Sequence, residues 1–366
     1  MKRYLILGML WLPVAAVMAQ VAYENTSNRG IYEFLDEMAT SGFISLHSAV
    51  KPYSRSYIAQ KLTELGSPDP EKEGKSGLNK RQQKELRFYM EDYQAEMRVP
   101  GAVYRYGWPL LPGDQLSLAF LPAGLHYRDS LFVLSLRPVL GMEFSTNQRG
   151  NLYQRWWGGE MYGYIGRHLG FYAELRDNNA SEAPVRPQFL TPEPGAVYKE
   201  RENGTVDFSD IRGGIAASVR WGSIGILLDR PQWGDHYHGA NILSGHAPAF
   251  PYINLHLHPV RWFEFHYLHA WLNSNVIDSS RSYWANGDYR TIYRNKFLAA
   301  NIFTFTPWRG LDISVGNAVI YSDQDVNLLY LVPFLFFNAA DAIKNNYSNE
   351  AGSNSQMFFN ISSRQI

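Results

Sequence analysis

Phe263-Glu264-Phe265-His266-Tyr267-Leu268-His269-Ala270-Trp271 is the stretch on which the fold turns. Aromatic rings stand at 263, 265, 267 and 271, and Glu264 and His266 fall between them. Side chains of a strand point alternately to opposite faces, so this pattern predicts a strand with one apolar and one polar face. The same period runs outward in both directions. Ile253, Leu255 and Leu257 oppose Asn254, His256 and His258, and Leu311, Ile313, Val315 and Val319 oppose Asp312, Ser314, Gly316 and Ala318. Farther upstream, Leu134, Leu136, Leu140, Met142 and Phe144 share a face against Ser135, Arg137, Gly141 and Glu143. Ile215, Ala217, Val219 and Trp221 likewise oppose Ala216, Ser218 and Arg220, and Leu116-Ser117-Leu118-Ala119-Phe120 alternates in size. With its flanks, each stretch is near the roughly ten residues that a tilted strand needs to cross a bilayer.

The connections between these stretches are of two kinds. Trp221-Gly222-Ser223, His258-Pro259-Val260-Arg261 and Pro307-Trp308-Arg309-Gly310 are short enough for tight hairpins. Residues 177–207 and 274–289 are long, polar and rich in Asn, Ser, Pro and Glu. Short turns at one end and long loops at the other are the asymmetry of an outer-membrane barrel. The competing reading is a soluble β-sandwich or propeller. No blade-length repeat supports it, and the outward positions are unusually aromatic. At usual strand and loop lengths, about eleven or twelve strands fit after residue 99. The last residues, Phe358 to Ile366, read as the middle of a strand. An open edge in lipid leaves backbone groups unpaired, so the expectation is a barrel incomplete at the C-terminus.

Composition agrees. The chain has 24 Tyr, 20 Phe and 10 Trp, 15% in all. Its mean hydropathy is nevertheless −0.30, and no apolar run of about eighteen residues follows the N-terminus. Strands with one lipid face and one wet face, girdled by aromatics, produce that combination. With 0 Cys, the chain can have neither a disulfide framework nor a thiolate metal site.

The N-terminus reads as an export signal. Lys2 and Arg3 precede an apolar run from Tyr4 to Met18, and Val17-Met18-Ala19 places small residues before a cut at Gln20. Removing Lys2 and Arg3 from the 34 basic residues leaves two fewer than the 34 acidic ones. A formal charge of −2 gives no footing for nucleic acid. Residues 20–98 then read as a small α-helical domain. Ile31, Phe34, Leu35 and Met38 recur at helical spacing, with Gly42 as a stop. Ser54 caps a second helix carrying Tyr57, Ile58 and Leu62, and residues 66–77 form a charged linker. Asn79 caps a third helix, with Leu86, Tyr89, Met90 and Tyr93 on one side. Three short amphipathic helices must pack on one another or on something larger.

At this point the residues resemble the Wzi capsule-assembly family of the Gram-negative outer membrane, over most of the chain after the signal. The likeness runs from Ile31-Tyr32-Glu33-Phe34-Leu35-Asp36-Glu37-Met38-Ala39 through Lys51-Pro52-Tyr53-Ser54-Arg55 and Leu78-Asn79-Lys80-Arg81. It continues in Tyr153-Gln154-Arg155-Trp156-Trp157-Gly158-Gly159. Its strongest piece is Trp233-Gly234, then Gly239-Ala240-Asn241-Ile242-Leu243-Ser244 and Ala247-Pro248-Ala249-Phe250-Pro251, followed by Tyr330-Leu331-Val332-Pro333-Phe334. None of these is a tight catalytic signature; order and spacing together carry the likeness. The resemblance implies a transmembrane antiparallel β-barrel with a helical domain at its periplasmic mouth. It also implies a lectin-like, non-catalytic role in holding capsular or exopolysaccharide, and a barrel with more strands than are counted here.

Candidate site residues follow from sugar chemistry, because aromatic faces stack on C–H surfaces while planar polar groups bond hydroxyls. Trp233, Asp235, His236, Tyr237 and His238, together with Arg155, supply that set. Trp156 and Trp157 fit an interfacial girdle at least as well. The pairs His236/His238 and His256/His258 are spaced for metal on a strand, but no acidic or thiolate partner completes either set in the sequence. They read instead as lumen-facing polar residues, with no metal and no cofactor expected. A Ser/His/Asp hydrolase built on Ser244, His246 and Asp235 is a weaker reading, since Ser and His two apart rarely reach relay geometry. The expected partners are surface polysaccharide, outer-membrane lipids and a periplasmic protein at the helical domain, with no nucleic acid. A porin or solute transporter is the alternative function. The apolar run from Tyr330 to Asn338 fits a strand or an inward-folded constriction equally well.

Overall fold

The computed structural model describes residues 20–67, 77–97, 109–111, 113, 115–120, 122–148, 150–182, 196–235, 240, 242–345 and 353–364. The signal reading of 1–19 and most of the charged linker lie outside the described residues.

The N-terminal part is helical: α1 (Arg29–Thr40), a short strand β1 (Val50–Lys51), α2 (Arg55–Gly66), α3 (Lys80–Asp92) and α4 (Gln94–Met97). The local signals for it act as expected. Gly42 takes a left-handed φ of 75° just beyond α1, where a side chain would be strained. The Ser54 side chain accepts the Tyr57 N–H at the start of α2. Asn79 and Gln82 form a reciprocal capping box on α3. Ile31, Phe34, Leu35 and Met38 pack against Ile58, Leu62, Leu86 and Tyr93 in a core of their own.

The remainder is mainly β. In chain order come β2 (Pro109–Leu111), β3 (Leu116–Phe120), β4 (Ala123–Arg128), β5 (Phe132–Asn147), β6 (Gly150–Ile165), β7 (Leu169–Ala180) and β8 (Lys199–Glu200). Next are β9 (Val206–Val219), β10 (Gly222–Asp229), β11 (Gln232–Trp233), β12 (Leu243–Ser244), β13 (Phe250–Val260) and β14 (Phe263–Ile277). The last are β15 (Tyr283–Ala285), β16 (Asp288–Arg290), β17 (Tyr293–Trp308), β18 (Leu311–Ser322) and β19 (Asn354–Ser363). One 14-stranded antiparallel sheet takes the path β19-β18-β17-β14-β13-β10-β9-β7-β6-β5-β4-β3-β2, with β8 beside β9. The count exceeds the sequence expectation because short pieces such as β2 and β8 carry too few residues to show a period. Among the described residues β19 and β2 are the edges of the sheet.

The strand register carries the alternation across the whole sheet. Leu136 lies opposite Met161 and that opposite Ala173. Ile215 lies opposite Ile226, Leu257 opposite Phe265, Phe303 opposite Val315, and Val315 opposite Phe359. One face is therefore largely apolar along the body of the strands, and much of it is open: Leu140 is 74% exposed and Ile226 66%. Toward the long-connection end the same face turns polar at Arg155, Asp177 and Asn179. The other face carries Arg137, Glu160, Glu174, Arg212, Asp229, Glu264, His266 and Asp312, most of them buried or half-buried.

The polar face is covered from within the chain. Residues 20–25 cross it: the Arg212 guanidinium donates to the Tyr23 carbonyl at 3.1 Å, and the Asn25 amide donates to Glu174 at 2.9 Å. The helices follow, at the end of the sheet that carries the tight turns. Arg309, in the turn between β17 and β18, donates to the Gly42 carbonyl at 3.2 Å, and Arg364, just past β19, donates to Asp36 at 2.7 Å.

The run from Tyr330 to Asn338 is neither a strand nor an inward constriction. A 3-10 turn (Leu328–Leu331) and a helix α5 (Phe337–Asn345) lie on the apolar face instead, where Tyr330 and Phe337 pack against Phe265, Phe297 and Tyr321. The physical reason is two polar residues on that face. The Asn301 amide donates to the Pro333 and Leu335 carbonyls at 2.8 and 2.9 Å, and Asn317 accepts the Phe337 N–H at 2.8 Å. Uncovered, these amides would be costly next to anything apolar.

Candidate functional site

Of the six residues singled out for sugar binding, Trp233, Asp235 and Arg155 are among the described ones, and Arg155 stands apart from the other two. Trp233 and Asp235 lie on the connection from β10 to β13, which folds back over the polar face. There β11 pairs with β1 of the helical part on one side and β12 on the other. Trp233 is 1% exposed and packs edge-on against Phe358 of β19, with ring centroids 6.4 Å apart. The Asp235 carboxylate accepts from the Ser48 hydroxyl, from the Ser362 hydroxyl at 2.6 Å, and from Arg364 at 3.3 Å. Burial pushes this carboxyl up, but Arg364 and the two hydroxyls outweigh it and hold the group below its ordinary value. Both residues thus stand in a joint that ties the fold-back segment, the helical part and β19 together. His236, Tyr237 and His238 lie outside the described residues.

Arg155 has a different setting. It stands on β6 directly opposite Asn179 of β7, which in turn stands opposite Asp207 of β9. One step along the strands, Trp157 faces Asp177. With Asn178 and Arg201 these residues line a cleft of about 410 Å³ at the end of the sheet that carries the long connections. The cleft floor is held by short-range bonds. The Asn179 amide donates to Asp207 at 2.7 Å, Arg201 pairs with the same carboxylate, and the Ser209 hydroxyl donates to Asp177 at 3.3 Å. Trp157 is 64% exposed and presents an open ring. The Arg155 guanidinium makes no side-chain hydrogen bond among the described residues, and its charge acts on Asp207.

The sequence reading left Trp157 to a girdle and did not foresee Asp177, Asn179, Arg201 or Asp207. Arg155 and Trp157 share one face by strand parity, which was legible. The partners from β7 and β9 become neighbours only through a register that a single sequence does not give. Trp156 points the other way; a Cβ on Gly141 would lie 2.1 Å from its ring, so glycine is what admits the indole there.

Two further sequence readings can be placed. Ser244 spends its oxygen on the His246 backbone N–H at 3.2 Å, and Asp235 is engaged elsewhere, so the imagined Ser/His/Asp relay is not assembled. His256 and His258 do share a face, with ring centroids 5.0 Å apart. The closer associates of His256 come from the next strand, His266 opposite it and Glu264 at 2.6 Å. The acidic partner that the sequence did not supply is therefore cross-strand. Compared with family models, curated proteins and solved structures, the chain matches none of them.

Proposed function

We propose that this chain is an outer-membrane β-barrel of the Wzi capsule-assembly type, which holds a surface polysaccharide without cleaving it. The observation that carries the membrane part is the extended, largely open apolar face of the long sheet, whose Asn301 and Asn317 lie beneath the 3-10 turn and α5. A folded chain in water rarely leaves so extended an apolar surface open, whereas a barrel in lipid requires it. The helical part sits at the tight-turn end, which is the periplasmic end of such barrels, and the cleft lies at the opposite, cell-surface end.

The cleft supports the binding part. Trp157 offers a ring for stacking and Arg155 a planar cation, at the rim of the outward face where Leu140 and Met142 give way to Asp177, Asn179 and Asp207. One stacked ring contributes about 1 kcal/mol, so retention of a long polymer depends on many weak contacts along it. The porin alternative is disfavoured because residues 20–25, the helices and the fold-back connection all occupy the polar face.

The test is an Arg155→Ala, Trp157→Ala double variant of the exported protein, with heat-modifiable migration as the check of folding. Loss of most cell-bound polysaccharide while the variant stays folded in the outer membrane is the expected result. Wild-type retention would move the site elsewhere. Conductance in liposomes without polysaccharide binding would favour the porin.

A further inference from the structure

We propose that His256, Glu264 and His266 form a binding site for a divalent transition-metal ion, zinc by its donor set. The arrangement follows from the hairpin of β13 and β14. His256 and His266 are direct partners across the two strands, and Glu264, two residues before His266, shares their face. The two imidazoles stack at 4.1 Å with planes 6° apart. Their Nε2 atoms converge on one carboxylate oxygen, at 2.6 Å for His256 and 3.5 Å for His266. All three ligand atoms lie within 4.8 Å of one another. Metal–ligand bonds of about 2.0–2.2 Å then require only small side-chain rotations.

The donors select the ion. Two imidazoles and a carboxylate are borderline ligands suited to zinc, copper or nickel, not the oxygen-only set of calcium or magnesium. Three protein donors leave a fourth position for water. The side chains are 23%, 18% and 10% exposed, so the site is shielded yet reachable. It lies on the polar face at the tight-turn end. His258 flanks it there on β13, and His47 of the helical part is near enough for its charge to couple to Glu264. An ion at this place would brace the β13–β14 hairpin where the helical part rests on the sheet. The inference rests on strand register and side-chain geometry and is independent of the polysaccharide reading.

The experiment is titration of the detergent-solubilised protein, stripped by chelator, with cobalt(II) and then zinc. One cobalt per chain, with the visible absorption of a four-coordinate ion and displaced by zinc, is expected. Zinc should also raise the thermal midpoint of the unmodified protein, a readout that needs no variant. His266→Ala and Glu264→Gln should weaken binding by at least roughly tenfold, the loss typical of removing even an outer-shell partner. His246→Ala, on the fold-back connection outside the three ligands, should bind as the parent does. Absence of a stoichiometric cobalt spectrum from the parent, or affinity unchanged in both ligand variants, would overturn the site.

Discussion

Arg55 shows how single residues fix the helical part to the sheet. Its side chain is buried and pairs with Glu24 at 2.6 Å and Glu96 at 2.8 Å. It also lies over the rings of Tyr93 and Tyr162, at 4.2 and 3.9 Å. Tyr162 belongs to β6, so one guanidinium joins residues 20–25, the helices and the polar face. Removing one member of such a buried network strands the others, at a cost of about 3–5 kcal/mol. Arg55→Ala should therefore lower the denaturant midpoint strongly, while Arg81→Ala, whose partners are surface-exposed, should change it little. Glu24 adds a pH dependence. Burial pushes its carboxyl up, but Arg55 and Arg212 outweigh burial and hold it below its ordinary value. A depressed acid contributes stability that is fully present above its unfolded pKa and lost as pH falls through the folded one. The helical part should stay docked near neutrality and loosen below roughly pH 4, read as faster proteolysis within α1–α4 while the strands remain protected. Glu24→Gln should flatten that dependence.

Among the elements, the segment from the 3-10 turn to α5 has the most to test. It is held to the apolar face by the Asn301 and Asn317 amides, and its removal would leave buried polar groups unpaired. Asn317→Ala should cost about 1–3 kcal/mol and raise hydrogen exchange in 328–345 without affecting exchange in β17. Exchange raised equally throughout would mean that the asparagine supports the sheet and not the segment. This segment also marks where sequence reading stops. Helix caps at Ser54 and Asn79 and the two faces of β13, β14 and β18 were legible because each depends on residues a few positions apart. The cover on the apolar face was not, since its anchors come from β17 and β18. Nor was the burial of Trp233, because the contacts that explain it arrive from far along the chain: Asp235 and Arg364 are 129 residues apart. The cleft at Arg155 was half legible, its β6 members by parity and the rest only by register.

At the scale of the whole molecule, one long sheet separates two environments. Its polar face is filled by the chain's own N-terminal part and fold-back connection, and its apolar face, outside the stretch under the 3-10 turn and α5, is left to something else. The account holds that this something is lipid. With 0 Cys in the chain, single cysteines can be placed at will. The most direct measurement is nitroxide accessibility in lipid vesicles at Ile226→Cys and Ile215→Cys, cross-strand neighbours on the open apolar face, with exposed Glu200→Cys as the wet reference. The account predicts that labels at 226 and 215 relax with oxygen and resist a water-soluble nickel chelate, and that the label at 200 does the reverse. Labels at 226 and 215 that respond to the nickel chelate as 200 does would contradict it.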